Sequence, residues 1–298
     1  MNTQIECVVE ANNRCGETPI WDFRSNRLVW NDQNSNLVYE YDPLKNQSEI
    51  ISRELMAACI ALNGESGFAF AGSSGFHLWE KSGKYTTILS EDESGPLCFN
   101  EMLSAPDGSV YANTMYWNET SMEKTGKLYK IACGGKVIIL DENFELANGM
   151  GFSPDNSLLY LADSARRLIY MYDVDAADYK VRNRRVFATV PDDEGIPDGL
   201  TVDAEGFVWS AQWYGSQVVR YDPEGKVERR IAVPAKQVSC IGFGGQDLTD
   251  LYITTAGESW PSALMPKAYD PSNGNIGGAL YRLRTDIVGK REYIANLS

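Results

Sequence analysis

A short polar turn followed by a β-rich run recurs six times along the chain. The copies are DFRSNRLVWND from Asp22, NGESGFAFAG from Asn63, APDGSVYANT from Ala105, SPDNSLLYLAD from Ser153, DAEGFVWSAQ from Asp203 and GGQDLTDLYITT from Gly244. They stand about 40–50 residues apart, the spacing of propeller blades. A second run follows each one in phase: NLVYEYDP, GFHLWEK, GKLYKIA, RLIYMYD, QVVRYDPEG and ALYRLRTD. Val, Ile, Tyr, Phe and Trp are frequent in both sets, and Gly, Asn, Asp and Pro separate them, as strands and turns require. Two strands per period, with room for two more, predict an all-β six-bladed β-propeller with four antiparallel strands per blade. A β-sandwich or a pair of barrels has no need of six phased copies. The second set alternates apolar and polar residues and is expected at half-exposed outer positions. The first set, as in LLYLA, is more continuously apolar and is expected as inner strands packed between blades.

The run QIECVVEA precedes the first copy. It is expected to add a strand to the last blade, which closes the ring and removes exposed sheet edges. No linker interrupts the repeats, so residues 1–298 read as one propeller domain, and 43% apolar residues are ample for its core. The longest irregular segment, Glu258 to Gly278, falls in the last blade and is expected to wall or cover the channel mouth.

The formal net charge is −14, which gives no electrostatic reason to bind nucleic acid or an anionic membrane. No window approaches the apolar length of a membrane-spanning helix. The opening residues MNTQIECVVE lack the basic start and apolar run of a signal peptide. The six cysteines include no CxxC pair, so free thiols in a reducing cytoplasm are expected. The single histidine, His77, argues against a histidine-rich metal site and a Ser-His-Asp triad, and is expected to be structural or exposed.

A propeller gathers the starts of its inner strands around one end of the channel. Four polar residues precede the repeated strands: Glu17 in GETPIWD, Asn100 in CFNEM, Asn148 in ANGMGFSPD and Asp198 in PDGLTVDAEG. The last three stand at closely similar distances upstream of the repeated turn. Taken singly, NG and DG are common turn dipeptides. Taken together, two carboxylates and two carboxamides at matching blade positions form a hard oxygen-donor set. Such a set suits Ca²⁺, Mg²⁺ or Mn²⁺, and Zn²⁺ less naturally. A divalent ion also offsets the repulsion between Glu17 and Asp198.

GETPIWD, NGMGFSPDNSLLYLADS, PDGLTVDAEGFVWSAQWYGSQVVRYDPEGK and GFGGQDLTDLYITTA together resemble the gluconolactonase and regucalcin (senescence marker protein) family, which includes the luciferin-regenerating enzymes. The similarity covers nearly the whole chain. It implies a six-bladed propeller with one divalent metal in the channel, Ca²⁺ first and Zn²⁺, Mn²⁺ or Mg²⁺ as alternatives. The implied metal ligands are Glu17, Asn148 and Asp198. Asn100 keeps a family asparagine near metal and substrate. The family arginine two residues before it is replaced by Cys98, and the following aspartate by Glu101. A family glutamate aligns with Asn118 in NTMYWNET. Asn100, Glu101, Asn118, Trp117 and Tyr214 are thus the candidate substrate contacts, the aromatic pair because such faces often line carbohydrate sites.

The activity this implies is metal-dependent hydrolysis of a sugar lactone, from aldonolactone to aldonic acid. The metal acts as a Lewis acid on the lactone carbonyl, and Asp198 is the catalytic residue, either as general base or by orienting the attacking water. Two alternatives stay open: a non-catalytic, regucalcin-like binder of metal and sugar acid, and a phosphotriesterase resembling the diisopropylfluorophosphatases. The expected partner is a small sugar lactone, with no nucleic acid and no membrane. A closed propeller needs no second copy, so a monomer or weak homo-oligomer is expected.

Overall fold

A computed structural model describes residues 4–118, 120–260 and 263–297. Six four-stranded antiparallel sheets form a ring. Their innermost strands are Gly16–Asp22, Cys59–Asn63, Phe99–Ser104, Ala147–Phe152, Ile196–Val202 and Val238–Gly244. Each packs against the next, and the first against the last, so the ring closes. Closure follows the expected route: Glu6–Val9 pairs with Leu280–Arg284 as the outermost strand of blade 6.

The repeated runs occupy different places from those expected. The turn-led set, such as Leu158–Asp163, forms the second strand of each blade, and the set in phase with it forms the third. Third strands are largely buried, because adjacent strands cover their edges and adjacent blades their faces. Exposure falls mainly on fourth strands such as Gln47–Ser52 and Val227–Ala232. The innermost strands are shorter on β signal, being rich in Gly, Pro and polar residues.

The apolar core is not one mass. It divides into layers between adjacent blades: Ile20, Val29, Ile60 and Phe68 between blades 1 and 2, for example, and Leu103, Tyr111, Phe152 and Leu159 between blades 3 and 4. Trp30 and Trp209 are fully buried in such layers, each side chain contributing a few kcal/mol by removal from water. His77 is also buried, held between Ser74 Oγ (3.0 Å) and Thr87 Oγ1 (2.9 Å) and stacked on Phe70, so it is structural. No disulfide joins the six cysteines. No helix among the described residues is long and apolar enough to cross a membrane.

The repeated turns have a second use that the sequence did not suggest. After Arg284 the chain runs beneath the ring at the end opposite the strand starts. Gly289 N donates to Leu248 O, Ala204 N to Val288 O, Tyr293 Oη to Asn156 Oδ1, Ala295 N to Leu62 O and Asn296 N to Gly108 O, at 2.7–2.9 Å. Arg291 lies over the Phe23 ring. This segment therefore meets the turn of every blade and closes that end of the channel.

Candidate metal centre

The open end of the channel holds a cavity of about 480 Å³. Glu17, Asn100, Asn148 and Asp198 all line it, from blades 1, 3, 4 and 5. Blade 2 contributes nothing to this lining.

The backbone explains the convergence. These residues lie inside the innermost strands, not in loops before them. Each sits within or at the start of a break in strand register: Glu17/Ile20, Phe99/Glu101, Ala147/Met150 and Pro197/Leu200. A bulge re-aims one side chain out of the regular alternation. Blade 6 has the same break at Val238/Cys240, whereas the blade 2 inner strand, CIALN, pairs regularly and offers no donor to the cavity. The glycines after Asn148 and Asp198 also have a role other than turning. A Cβ on Gly149 would stand 2.2 Å from Leu200 N, and one on Gly199 would stand 2.3 Å from Cys240 Sγ. NG and DG here mark strands pressed together at the channel wall.

Neighbouring polar groups fix the candidates. Asn148 Nδ2 donates to Asp198 Oδ1 and to Ser164 Oγ at 3.3 Å, while Ser164 Oγ donates to Pro197 O at 2.6 Å. Asn100 Nδ2 donates to Ala147 O at 2.9 Å. Asp32 accepts from the amides of Arg14 and Cys15, both at 2.9 Å, just before Glu17. Asp163 accepts from those of Glu145 (3.2 Å) and Leu146 (3.0 Å), just before Asn148. Both aspartates end second strands, in VWND and YLAD. That recurrence was visible in the sequence and marks residues that position the site.

Of the other candidates, Trp117 lines the cavity, its Nε1 donating to Glu145 O at 2.7 Å. Its ring meets that of Trp260 edge-on, with 6.4 Å between centroids. Three lie elsewhere. Asn118 is exposed, and its Oδ1 accepts from the amides of Thr120 and Ser121, which close a local turn. Tyr214 is buried behind the wall, its hydroxyl donating to Trp260 O. Glu101 points the other way along the channel, into a smaller inner chamber, because the register break at Phe99/Glu101 sends Asn100 and Glu101 in different directions. The Glu258–Gly278 segment does form a wall: Glu258, Ser259 and Trp260 line the cavity, and Leu264, Met265 and Tyr269 pack on Ile196, Trp213 and Tyr214. The Arg14 guanidinium ties the segment to the rim through both oxygens of Glu258.

The electrostatics of the cavity favour a cation. Burial, then the charges of Asp198 and Glu101, push the Glu17 carboxyl well above its usual range. Burial and Glu101 do the same to Asp198, against the opposing hydrogen bond from Asn148. Arg14 also lines the cavity, but its guanidinium is paired with Glu258 at the rim. Two buried like charges with neutral oxygen donors between them fit a divalent ion: Glu17, Asn148 and Asp198 would hold it directly, with Asn100 beside them.

A closed six-bladed propeller with an acid-and-carboxamide pocket at one channel mouth defines the class. The sequence pattern of the SMP-30/gluconolactonase/LRE-like region matches residues 15–257, and the chain belongs to that family. It is 31% identical to pentonolactonase XacC of Haloferax volcanii over 294 residues, 96% of each chain. Its fold is similar to that of a luciferin-regenerating enzyme, with TM-score 0.90, 24% identity and 99% of each chain covered. It is also similar to the calcium-binding protein regucalcin from Agrobacterium tumefaciens, with TM-score 0.85, 26% identity, and 98% of this chain and 97% of that one covered.

Proposed function

We propose that the protein is a divalent-metal-dependent lactonase that opens a sugar lactone to its aldonic acid. The observation that carries this reading is the convergence of Glu17, Asn100, Asn148 and Asp198 in one cavity, where the one described cation in the lining, Arg14, is paired with Glu258 at the rim and not with these acids. The cavity volume lies in the range of small-molecule sites. The pentonolactonase relative supports the reaction class, and the calcium-binding neighbour supports Ca²⁺ as the ion.

When bound, the ion supplies Lewis-acid polarisation of the lactone carbonyl and offsets the negative charge that develops on its oxygen. Asp198 takes the proton from water as the water oxygen bonds to the carbonyl carbon. It returns that proton to the ring oxygen as the ring C–O bond breaks, so the product is a hydroxy acid. Asn148 and Ser164 hold Asp198 and its strand in register for this transfer. Asn100 commits its Nδ2 to Ala147 O, which leaves its Oδ1 for the cavity. Trp117 and Trp260 narrow the mouth and present aromatic surface to the sugar.

The test is proton release over a panel of aldonolactones, using metal-stripped protein with Ca²⁺, Mg²⁺, Mn²⁺ and Zn²⁺ restored singly. Ion-dependent turnover of one lactone above its spontaneous rate is expected. Ion binding without turnover of any lactone overturns the reading and favours a binding-only role. A phosphotriester run in the same assay separates the third chemistry.

A further inference from the structure

Below the mouth cavity, toward the closed end of the channel, lies a separate chamber of about 60 Å³. Thr18, Glu101, Ser104, Cys240, Glu292 and Tyr293 contribute to its lining, the last two from the chain segment that closes the channel. Lactone hydrolysis as described uses none of these side chains.

Four observations converge there. Glu101 is only 6% exposed, and no described basic side chain is close enough to offset its charge. A carboxyl oxygen of Glu17, one of Glu101 and the Sγ of Cys240 lie within 4.8 Å of one another. Thr18 Oγ1 and Ser104 Oγ are buried in the same lining and have no hydrogen-bond partner. An orphaned buried hydroxyl costs about 1–3 kcal/mol unless something meets it. Finally, a divalent ion held at the mouth by Glu17 and Asp198 would leave Glu101 in the chamber without a counter-charge of its own, whereas Glu292 has Lys290 nearby.

We propose that this chamber is a second divalent-cation site, joined to the mouth site through Glu17 and built from Glu101, Cys240 and the hydroxyls of Thr18 and Ser104. Glu17 is placed to serve both, since it lines the mouth cavity and belongs to the inner cluster. The two sites differ in softness. The mouth offers oxygen donors from carboxylates and carboxamides, the set Ca²⁺ takes. The chamber adds a thiol, which on losing its proton to solvent selects Zn²⁺ or Co²⁺ over Ca²⁺. The chamber volume exceeds what one water-sized guest needs.

The test is equilibrium dialysis of metal-stripped protein against Co²⁺, with metal analysis and the near-ultraviolet absorbance of cobalt–thiolate charge transfer as readouts. About two equivalents and a thiolate band are expected for the wild type. Glu101→Gln should lose the band and one equivalent. Cys240→Ser, nearly isosteric, should lose the band, whereas Cys15→Ser should keep it, although Cys15 also lies beside Glu17. Asp198→Asn should weaken only the mouth equivalent and leave the band in place. One equivalent with no band overturns the proposal, and so does a band that survives Cys240→Ser. Neither readout requires turnover, so the result is independent of the lactonase reading.

Discussion

Asp198 and Asp203 stand on one hairpin of blade 5, and both are almost wholly buried, at 5% and 0% exposure. Their surroundings are opposite. Asp203 Oδ2 accepts from Arg220 Nε (2.9 Å) and Nη2 (2.6 Å) and from Trp209 Nε1 (2.8 Å). Its Oδ1 accepts from the amides of Glu205 (2.9 Å) and Phe207 (3.0 Å). Asp198 has the Asn148 amide and otherwise faces acids and a cavity. One carboxylate is fully compensated by the fold. The other has no counter-charge from the fold, and the proposed ion would supply it. Buried charge alone does not mark a functional site. Buried charge left without its counter-charge does.

That contrast sets the expected effects, beginning with the largest. Asp198→Asn should lower turnover by about 10²–10⁴-fold, the usual worth of a general base, while the protein stays folded. Steady-state rates beside circular dichroism check this, and retention of most of the rate removes Asp198 as base. Arg220→Met should do the converse. It strands a buried carboxylate and should cost about 3–5 kcal/mol, read by urea unfolding. Metal affinity per folded molecule should barely change.

The pH dependence separates the two regions again. Glu101 is pushed up to about 7 by burial, and Glu17 and Asp198 also lie above their usual range. Unfolded carboxyls titrate near 4. Between about 4 and 7, the folded, metal-free protein therefore keeps protons that the unfolded chain has released. Stability should be greatest at the acid end of this window and fall as pH rises through it. Saturating divalent ion should flatten the slope. An equally steep slope with ion present would mean that these acids do not face it.

Smaller effects test the positioning residues. Asp32→Ala frees two amides just before Glu17 and should cost about 1–3 kcal/mol. It should also weaken ion binding about tenfold, as loss of a ligand's support does, measured by calorimetric titration. Asn118→Ala should leave KM and kcat unchanged, because that side chain only closes a surface turn. A marked rise in KM would return Asn118 to the substrate contacts.

The legible and illegible parts of the sequence divide along physical lines. Blade number and ring closure showed because second and third strands carry long apolar runs with repeated turns. The order of strands within a blade did not, because the innermost strands are pressed against one another and carry Gly, Pro and polar residues, not β-rich runs. Glu17, Asn100, Asn148 and Asp198 could be chosen by their matching positions. Glu101 could not be separated from Asn100, because neighbours in a regular strand part predictably and neighbours at a bulge do not. Tyr214 and Trp117 carry similar sequence signals. Only packing shows that one is sealed behind Trp260 while the other meets the cavity. The closing segment after Arg284 has no periodic signature, since its hydrogen bonds go to the turns of five separate blades rather than to one strand.

The most direct measurement is thermal unfolding of metal-free wild type and Asp198→Asn, each with and without Ca²⁺. Without the ion, Asp198→Asn should be the more stable, because it removes a buried charge that no counter-charge offsets. Ca²⁺ at about 100 times its dissociation constant should stabilise the wild type by roughly 2.7 kcal/mol and the variant far less. Equal stabilisation of both by the ion, or a metal-free variant weaker than the wild type, would contradict the claim that Asp198 is a buried charge kept for a cation.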